Sequence, residues 1–188
     1  MVKEKPLSSV QMARVLKAAE RESSRDFCML TIASNHAIRC SELAALRVSD
    51  VNVKDGVIYI RRLKGSNSES EKITAWELPV IVKWLNEKAP HDLLFPSVRG
   101  TQLCRNQVYR IFRRYNELVF NPDASRAPHA FRHSLGQAMA DGGVDIKELK
   151  RIMGHKSIAS TERYYEVSQN RVDETKERVL AARLKAVA

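Results

Sequence analysis

A chain of 188 residues is long enough to enclose one sizeable hydrophobic core, so a single domain is the expected number. Apolar residues make up 44% of the sequence, which argues against a generally disordered protein. The 32 lysines and arginines outnumber the 22 acidic residues and give a net charge of +10. That excess favours a polyanionic partner, most often nucleic acid, over the alternative of a merely basic, solvated surface.

The three cysteines are an odd number and are widely spaced, at Cys28, Cys40 and Cys104. Without a CxxC pair they indicate neither a zinc site nor a disulfide framework, and they fit a reducing compartment. The N-terminus has no apolar signal region, and no apolar run approaches the roughly 18 residues of a membrane span. We therefore expect a cytoplasmic protein with access to DNA or RNA.

The first 46 residues carry the spacing of amphipathic helices. After a basic lead-in over 1–6, the pattern predicts three helices: one from Ser8 or Ser9 to Glu20, one begun by Ser23 or Ser24 that runs towards His36–Ile38, and a short one from Cys40 or Ser41. Alternating Val and Ile then predict short strands around 48–53, 57–63 and 72–75. The polar run SNSESEK between the last two is expected to be a mobile hairpin tip.

Helical patterns return in the second half of the chain. They predict helices at 77–88 and 104–119, one that carries His129 and ends at Gly142–Gly143, one capped by Asp145 that runs through Met153, a segment opened by Lys156–Ser160, and a charged final helix at 171–186. The predicted fold is mainly α with a small antiparallel β-sheet (α+β), as one domain over 1–188.

Most of the side chains that could take part in catalysis lie between Pro128 and Tyr165. His129 and Arg132 are three apart, so they share one helix face and can point at one small anion near a helix start. A Gly-His pair at His155 and a phenol at Tyr164 follow. Two imidazoles, a guanidinium and an oxygen nucleophile suit phosphate chemistry that needs no metal.

Each of these side chains also has a purely structural interpretation. Arg39 either pairs with Glu42 at i+3 or aims its guanidinium at a phosphate with Glu42 as support. Lys64, beside a glycine turn, is either a solvated hairpin residue or a proton donor delivered by a flexible tip. His133 points about a quarter turn away from Arg132, so we expect it in packing or in solvent.

The end of this stretch leaves further alternatives open. His155 follows the glycine expected at a helix end and could be a structural hydrogen-bonding group. A metal at the histidines is disfavoured, because no Cys, Asp or Glu nearby has ligand spacing. Tyr164 could be a core residue, and since the neighbouring Tyr165 cannot share its orientation, at most one of the two is a nucleophile.

Taken together, these segments resemble the catalytic domain of the tyrosine recombinases, the phage integrase family. AIRCSELAALRVSDV looks like the first arginine box of that family, RRLKGSN like its lysine hairpin, HAFRHS like its His-x-x-Arg box, and MGHKSIASTERYY like its Leu-Gly-His box followed nine residues later by the nucleophile. The resemblance places the catalytic residues at Arg39, Lys64, His129, Arg132, His155 and Tyr164. It covers about residues 7–170, with Ala37-Ile38 where Gly-Leu is common and Met153 where Leu is common.

The resemblance implies a reaction. Tyr164 would attack a scissile phosphate and form a 3′-phosphotyrosyl link, while Arg39 and Arg132 hold the non-bridging oxygens. Lys64 would protonate the departing 5′-oxygen. The family's other two roles fall to the histidines: His129 would assist proton transfer at the nucleophile and His155 would bond the phosphate. Neither a metal nor ATP would be required, because the covalent link retains the energy of the phosphodiester.

The resemblance also implies partners. Double-stranded DNA with specific recombination sites is the expected substrate, handled by a homotetramer on two sites that is a monomer or weak oligomer when free. A basic helix face with Arg105, Arg110, Arg113 and Arg114 would lie on the DNA backbone. The final helix would dock on a neighbouring protomer or pack on its own domain.

Many members carry a separate helical core-binding domain ahead of the catalytic domain, and this chain begins almost at the catalytic domain. In this it looks like the short invertases that switch fimbrial promoters, or like a cut-down integrase. Inversion, integration, excision and dimer resolution all stay open. So do two rivals: a type IB topoisomerase-like enzyme, and a DNA-binding regulator that keeps the fold but exchanges no strands.

Overall fold

A computed structural model describes residues 6–62, 68–86, 92–120 and 128–165, and, near the C-terminus, 176–183 apart from 178 and 182. In chain order the elements are α1 (Ser9–Glu22), α2 (Ser24–Asn35), α3 (Cys40–Ala44), a 3-10 turn (Val48–Asp50), β1 (Val51–Asn52), β2 (Val57–Ile60), β3 (Glu69–Lys72), α4 (Glu77–Leu85), α5 (Arg105–Val119), α6 (Pro128–Asp141), α7 (Ile146–Ile152) and α8 (Ala159–Glu162). The predicted class, mainly helical with a small antiparallel sheet, is confirmed.

Helix α2 is the centre of the fold, packed against α1, α4 and α6. Its residues from Cys28 to Ser34 are all buried, which explains why its sequence is apolar on every face rather than on one stripe. The serines predicted as caps are in place. The Ser8 hydroxyl accepts a hydrogen bond from the backbone N–H of Gln11, and the Ser8 N–H donates to Oε1 of the Gln11 side chain. Ser23 likewise accepts from the N–H of Asp26.

The sheet has three antiparallel strands in sequence order, and two of the predicted boundaries were wrong. Val48–Asp50 forms a 3-10 turn instead of a strand, because the Asp50 carboxylate accepts from the N–H of Arg47 and closes the turn locally. The third strand is Glu69–Lys72, not 72–75, so part of the presumed hairpin tip is paired. The register of Ile60 with Glu69 turns Glu69 and Glu71 towards the protein, where both have cationic partners.

The main core joins α2, α3 and α5 to the inner face of the sheet. In α5, Phe112 meets Phe131 of α6 edge to face at 4.8 Å between ring centroids, and the phenol of buried Tyr115 donates to Asp26. Apolar spacing along this helix would also turn Leu118 inward, but Leu118 is 56% exposed and Tyr115 is buried instead. Helix α4 ends at Leu85, and the last predicted residues of that helix, from 87, lie outside the described part of the chain.

A second, smaller core lies between α6, α7 and α8 and contains Ala37, Ala140, Leu149, Met153 and Tyr164. Asp145 caps α7 as predicted, by accepting from the N–H of Lys147. Gly154 ends α7 with φ of 56°, a left-handed conformation that suits glycine. The N–H groups of residues 154 and 155 there bond the carbonyls of Arg151 and Lys150. This turn is what delivers His155 to the rest of the site.

Of the predicted final helix, residues 176, 177, 179–181 and 183 are described, and they are helical. Val179 and Leu180, two members of its apolar stripe, are 51% and 47% exposed. The other two, at positions 172 and 184, lie outside the described residues. No helix within the described ranges is both long and apolar enough to cross a membrane.

Candidate active site

Three guanidinium groups gather where the C-terminal ends of α2 and α7 meet. The last carbonyls of a helix have no partner within the helix and carry the negative end of its dipole, so they attract cations. Arg39, Arg62 and Arg132 all donate to carbonyls of this kind or just beyond. Neutral backbone carbonyls therefore supply many of the bonds that hold this cluster. The carboxylates of Glu42 and Glu71 also bond Arg39 and Arg62 but are fewer than the three guanidinium groups, so positive charge is left to attract an anion.

Arg39 lies directly before α3 and is oriented by its own helix. Its Nη1 donates to the Glu42 carboxylate at 2.7 Å, while the other oxygen of Glu42 accepts from the Arg39 N–H at 3.0 Å. Nη2 reaches the Gly154 carbonyl at 2.9 Å, so Arg39 is joined to the turn that bears His155. The sequence left two interpretations of Arg39 open, an ion pair with Glu42 or a phosphate-binding group supported by Glu42. Both require the Arg39–Glu42 contact that is present here.

Arg132 is almost completely buried, in the first half of α6. Its two terminal nitrogens donate to the carbonyls of Ala37 and Met153. Burial, together with the fields of Arg39 and Arg62, lowers the pKa of Arg132 to about 10. The group is still cationic at neutral pH, and the two neighbouring arginines that help to lower its pKa also attract an anion to the pocket.

Arg62 was not expected in the site, yet its side chain is buried and bonds more groups than either predicted arginine. It donates to Glu71 at 2.7 Å, to Glu42 at 3.2 Å and to three backbone carbonyls, those of His36, Ala37 and Ile152. The alternation along β2 could have revealed it, because Ile58 and Ile60 point inward and position 62 continues that face. Arg62 ties the hairpin of β2 and β3 to the ends of α2 and α7.

His36 completes this buried ion network and was also missed. Its ring nitrogens lie 2.9 Å from Glu71 and 2.9 Å from Glu77. Burial opposes the imidazolium form, but the hydrogen bonds to the two carboxylates outweigh burial and raise the pKa of His36 to about 9. His36 is therefore a structural cation at neutral pH.

The two predicted histidines both lie near Arg132 and Arg39 and are neutral at physiological pH. Burial and the fields of Arg105, Arg132 and Arg39 lower the pKa of His129. Burial, Arg132 and other cations lower the pKa of His155 to about 4, and its Nδ1 lies 2.9 Å from the Thr161 hydroxyl. Neutral imidazoles beside guanidinium groups can accept a proton or bond a phosphate oxygen.

Tyr164 lies inside this constellation and is only 4% exposed. Its ring is parallel to that of His155, with centroids 6.5 Å apart and 6° between planes. Gly136 of α6 backs the ring so closely that a Cβ there would be 2.8 Å from Cζ of Tyr164. The phenol Oη lies 2.6 Å from Nδ1 of His133, so the expectation that His133 only packs or faces solvent was wrong.

That expectation failed because it measured the angle of His133 from Arg132 alone. A quarter turn from Arg132 points away from the guanidinium cluster but towards the place where the chain returns with Tyr164. Tyr165 faces elsewhere, since its phenol donates to the carbonyl of Val144. Of the two adjacent tyrosines, Tyr164 is the one among the cationic and imidazole groups.

Lys64 lies outside the described residues, and the four predicted DNA-binding arginines do not share one face. Nine residues on a helix rotate about 180°, so Arg114 is opposite Arg105 on α5. Arg105 lies close enough to His129 to lower its pKa. Arg114 instead pairs with Glu22 of α1, and Arg113 with Glu117. Arg110, Arg113 and Arg114 line one shallow cleft away from Arg105.

In the described part of the chain, no group of three or more His, Cys, Asp or Glu side chains is placed to hold a metal ion. The side chains of Cys28 and Cys40 are buried, and that of Cys104 is exposed at the start of α5. The groups at this site that could take part in a reaction are its arginines, its imidazoles and the phenol of Tyr164.

A model of the phage integrase family matches the chain from residue 5 to residue 171. Since this is most of the sequence, the chain belongs to the phage integrase family, and its fold is that of a tyrosine recombinase catalytic domain.

Individual relatives agree. The chain is 33% identical over 147 residues to the type 1 fimbriae regulatory protein FimE of Escherichia coli K12, covering 75% of this chain and 74% of FimE. It is 27% identical to tyrosine recombinase XerD of Pseudomonas putida, over 90% of this chain and 60% of XerD. The Tn1549 transposon integrase, solved in complex with transposon right end DNA, superimposes with a TM-score of 0.78 at 21% identity, over 94% of this chain and 66% of the integrase. By family and fold, this protein is a tyrosine-type recombinase that acts on DNA.

Proposed function

We propose that this protein cuts and rejoins DNA at specific sites through a 3′-phosphotyrosyl intermediate on Tyr164. The observation that carries the proposal is the position of Tyr164: its phenol is enclosed with His133 and His155 beside the paired guanidinium groups of Arg39 and Arg132. An oxygen nucleophile next to fixed cations is what attack on a phosphodiester requires.

Burial raises the pKa of Tyr164, while Arg163 and Arg132 oppose that rise. The resting phenol is therefore protonated and must lose a proton as it attacks. Arg39 and Arg132 keep N–H groups beyond those that bond backbone carbonyls, and these would bind the non-bridging oxygens and stabilise the charge that builds on them. His155, whose Nδ1 lies 2.9 Å from the Thr161 hydroxyl, would donate a hydrogen bond to an oxygen of the same phosphate.

Lys64 is proposed as the acid that protonates the departing 5′-oxygen. It follows Arg62 by two positions, and Arg62 anchors its hairpin to the site. A duplex with sulfur at the bridging 5′ position should distinguish an acid from a phosphate-binding residue, since a thiolate leaves without protonation. We expect Lys64→Ala to slow cleavage of the oxygen substrate by 10²-fold or more, as is usual for loss of general acid catalysis, and to cleave the sulfur substrate normally. A defect that persists with sulfur would assign Lys64 to binding.

The substrate is proposed to be double-stranded DNA carrying recombination sites, and the working assembly a homotetramer on two sites. The chain's charge of +10 and the exposed arginines of α5 support binding to the phosphate backbone. The exposed Val179 and Leu180 are available for a neighbouring protomer. Similarity to fimbriae regulatory proteins favours inversion over integration or excision as the outcome, in a cytoplasmic, nucleoid-associated setting.

Covalent capture tests the proposal. The protein is incubated with sheared DNA from its source genome, denatured with detergent, and the protein-bound DNA is recovered and sequenced beside a Tyr164→Phe control. We expect junctions at defined sites with wild type and none with the variant. Adducts that persist in the variant would move the nucleophile to Tyr165. Salt-sensitive binding without adducts in either protein would favour the second candidate, a DNA-binding regulator, which the similarity to FimE, a fimbriae regulatory protein, supports.

A further inference from the structure

The imidazole that touches the nucleophile is the second histidine of HAFRHS, not the first. Nδ1 of His133 lies 2.6 Å from the phenol oxygen of Tyr164, and the two ring centroids are 5.8 Å apart. His129, four residues earlier on α6, has its ring centroid 6.4 Å from that of His133. His155 stacks on the Tyr164 ring, and its Nδ1 is engaged with Thr161.

We propose that His133 is a further catalytic residue of this protein, the group that takes the phenol proton when Tyr164 attacks the phosphate. The inference rests on the function proposed above and refines it, because it moves proton acceptance from His129 to His133.

The step balances in protons and bonds. In the proposed tautomer, neutral His133 carries its proton on Nε2, and Nδ1 accepts the Tyr164 O–H proton, so an imidazolium forms. The phenol oxygen bonds to phosphorus as the bond from phosphorus to the 5′-oxygen breaks, and that oxygen leaves with a proton from the acid, proposed as Lys64. Rejoining reverses each transfer, and His133 returns the proton to the departing phenolate.

The surroundings explain when the transfer becomes favourable. The charged and titratable groups that face His133 are Arg163, His129, Arg132, His155 and Tyr164. Burial, with Arg163, His129 and Arg132, lowers the pKa of His133 to about 4, so it is neutral and ready to accept at physiological pH. A bound phosphodiester brings a negative charge beside the same arginines and raises the basicity of His133. Binding of the DNA substrate therefore raises the pKa of His133, the residue that is proposed to accept the proton.

Rigid packing keeps the two atoms in contact. Gly136 lies one turn after His133 on α6 and lets the Tyr164 ring lie against the helix, with Met153 also against position 136. The Gln137 amide donates to the backbone carbonyl of Tyr164 at 3.4 Å. Positions 133, 136 and 137 thus lie on one face of α6 and contact Tyr164 together, as their spacing of three and four residues allows.

A first experiment needs no DNA. Nitrogen NMR of protein labelled with ¹⁵N-histidine reads the tautomer of His133, with the signal assigned by its loss in His133→Asn. We expect an unprotonated Nδ1 that accepts a hydrogen bond, a Nε2–H, and a marked shift of the Nδ1 signal in Tyr164→Phe. A protonated Nδ1 would overturn the proposal, because that nitrogen would already be a donor to the phenol.

A second experiment separates holding from proton transfer. The amide of Asn reaches the same place as Nδ1 and can accept the hydrogen bond, but it cannot keep the proton; Phe does neither. With sheared source-genome DNA as the probe, we expect both His133→Asn and His133→Phe to form covalent adducts about 10²-fold more slowly or worse. The rate for His133→Asn should rise with hydroxide concentration throughout the accessible pH range, and DNA affinity should stay unchanged.

A His133→Asn rate within about threefold of wild type would overturn proton acceptance and leave only a hydrogen bond that orients the ring. Thermal melting of each variant identifies loss of folding. If the wild-type protein forms no adduct, the proposed recombinase function is wrong. If the wild-type protein forms adducts and His133→Asn forms them equally fast, only the proposed role of His133 is wrong.

Discussion

Gly136→Ala tests the idea that the nucleophile is positioned by direct contact with α6. A Cβ built at position 136 would lie 2.8 Å from Cζ and 2.9 Å from Cε1 of Tyr164, and 3.2 Å from Cε of Met153. Carbon atoms in ordinary contact are about 3.5 Å apart or more. The ring must therefore retreat by roughly 0.7 Å, because the helix backbone cannot yield as easily.

Two effects on stability oppose each other. Ala in place of Gly in a helix interior is favourable by about 1 kcal/mol, whereas overpacking in a filled site costs about 1–3 kcal/mol. The net loss in the free energy of unfolding should be about 0–2 kcal/mol, and the protein should still fold. Reactivity should suffer more, since a displacement approaching 1 Å at a reacting atom can cost on the order of 10²-fold in rate.

The assay is the rate of covalent adduct formation on a DNA fragment recovered by capture, together with urea unfolding. We expect adduct formation to slow by about 10-fold to 10²-fold with little loss of stability. Gly142→Ala is the matched control: it lies just beyond α6, where a Cβ meets only backbone oxygens at 3.2 and 3.4 Å, and it should react normally. Normal reactivity of Gly136→Ala would refute the reasoning that this contact sets the position of the phenol.

Two further predictions concern the ion network and DNA binding. The pKa of His36 is raised to about 9 from an ordinary value near 6.5, so its protonated form stabilises the fold fully below about pH 6.5 and the contribution is lost as pH rises through 9. Urea unfolding between pH 6 and pH 10 should show a fall of up to about 3 kcal/mol that is absent in His36→Gln; an equal fall in both proteins would contradict the assignment. For DNA, Arg105→Ala should weaken binding to every duplex and reduce the salt slope by about one. Arg113→Ala should have a smaller effect because Glu117 already pairs with that side chain; equal slopes in the two variants would place both arginines on the phosphate backbone.

Much of the fold could be predicted from local patterns. Helix caps at Ser8, Ser23 and Asp145 are short-range hydrogen bonds, so the sequence near each helix start contains all the partners involved. The third strand was misplaced because Glu69 and Glu71 are poor strand residues locally. Their partners, Arg151, Arg62 and His36, are distant in sequence. These ion pairs can offset the low strand propensity of glutamate only once the chain has folded.

The same division applies to the site. The sequence determined which groups would be present, and the resemblance assigned them roles, because box motifs preserve residue type and spacing. It also singled out Tyr164 rather than Tyr165. The tertiary structure alone decided which of these groups touch. Arg62 enters the arginine cluster, Arg105 separates from Arg114, and His133 rather than His129 meets the phenol. Each of these outcomes depends on where a second element crosses the first, and that geometry is a property of packing, not of spacing along one helix.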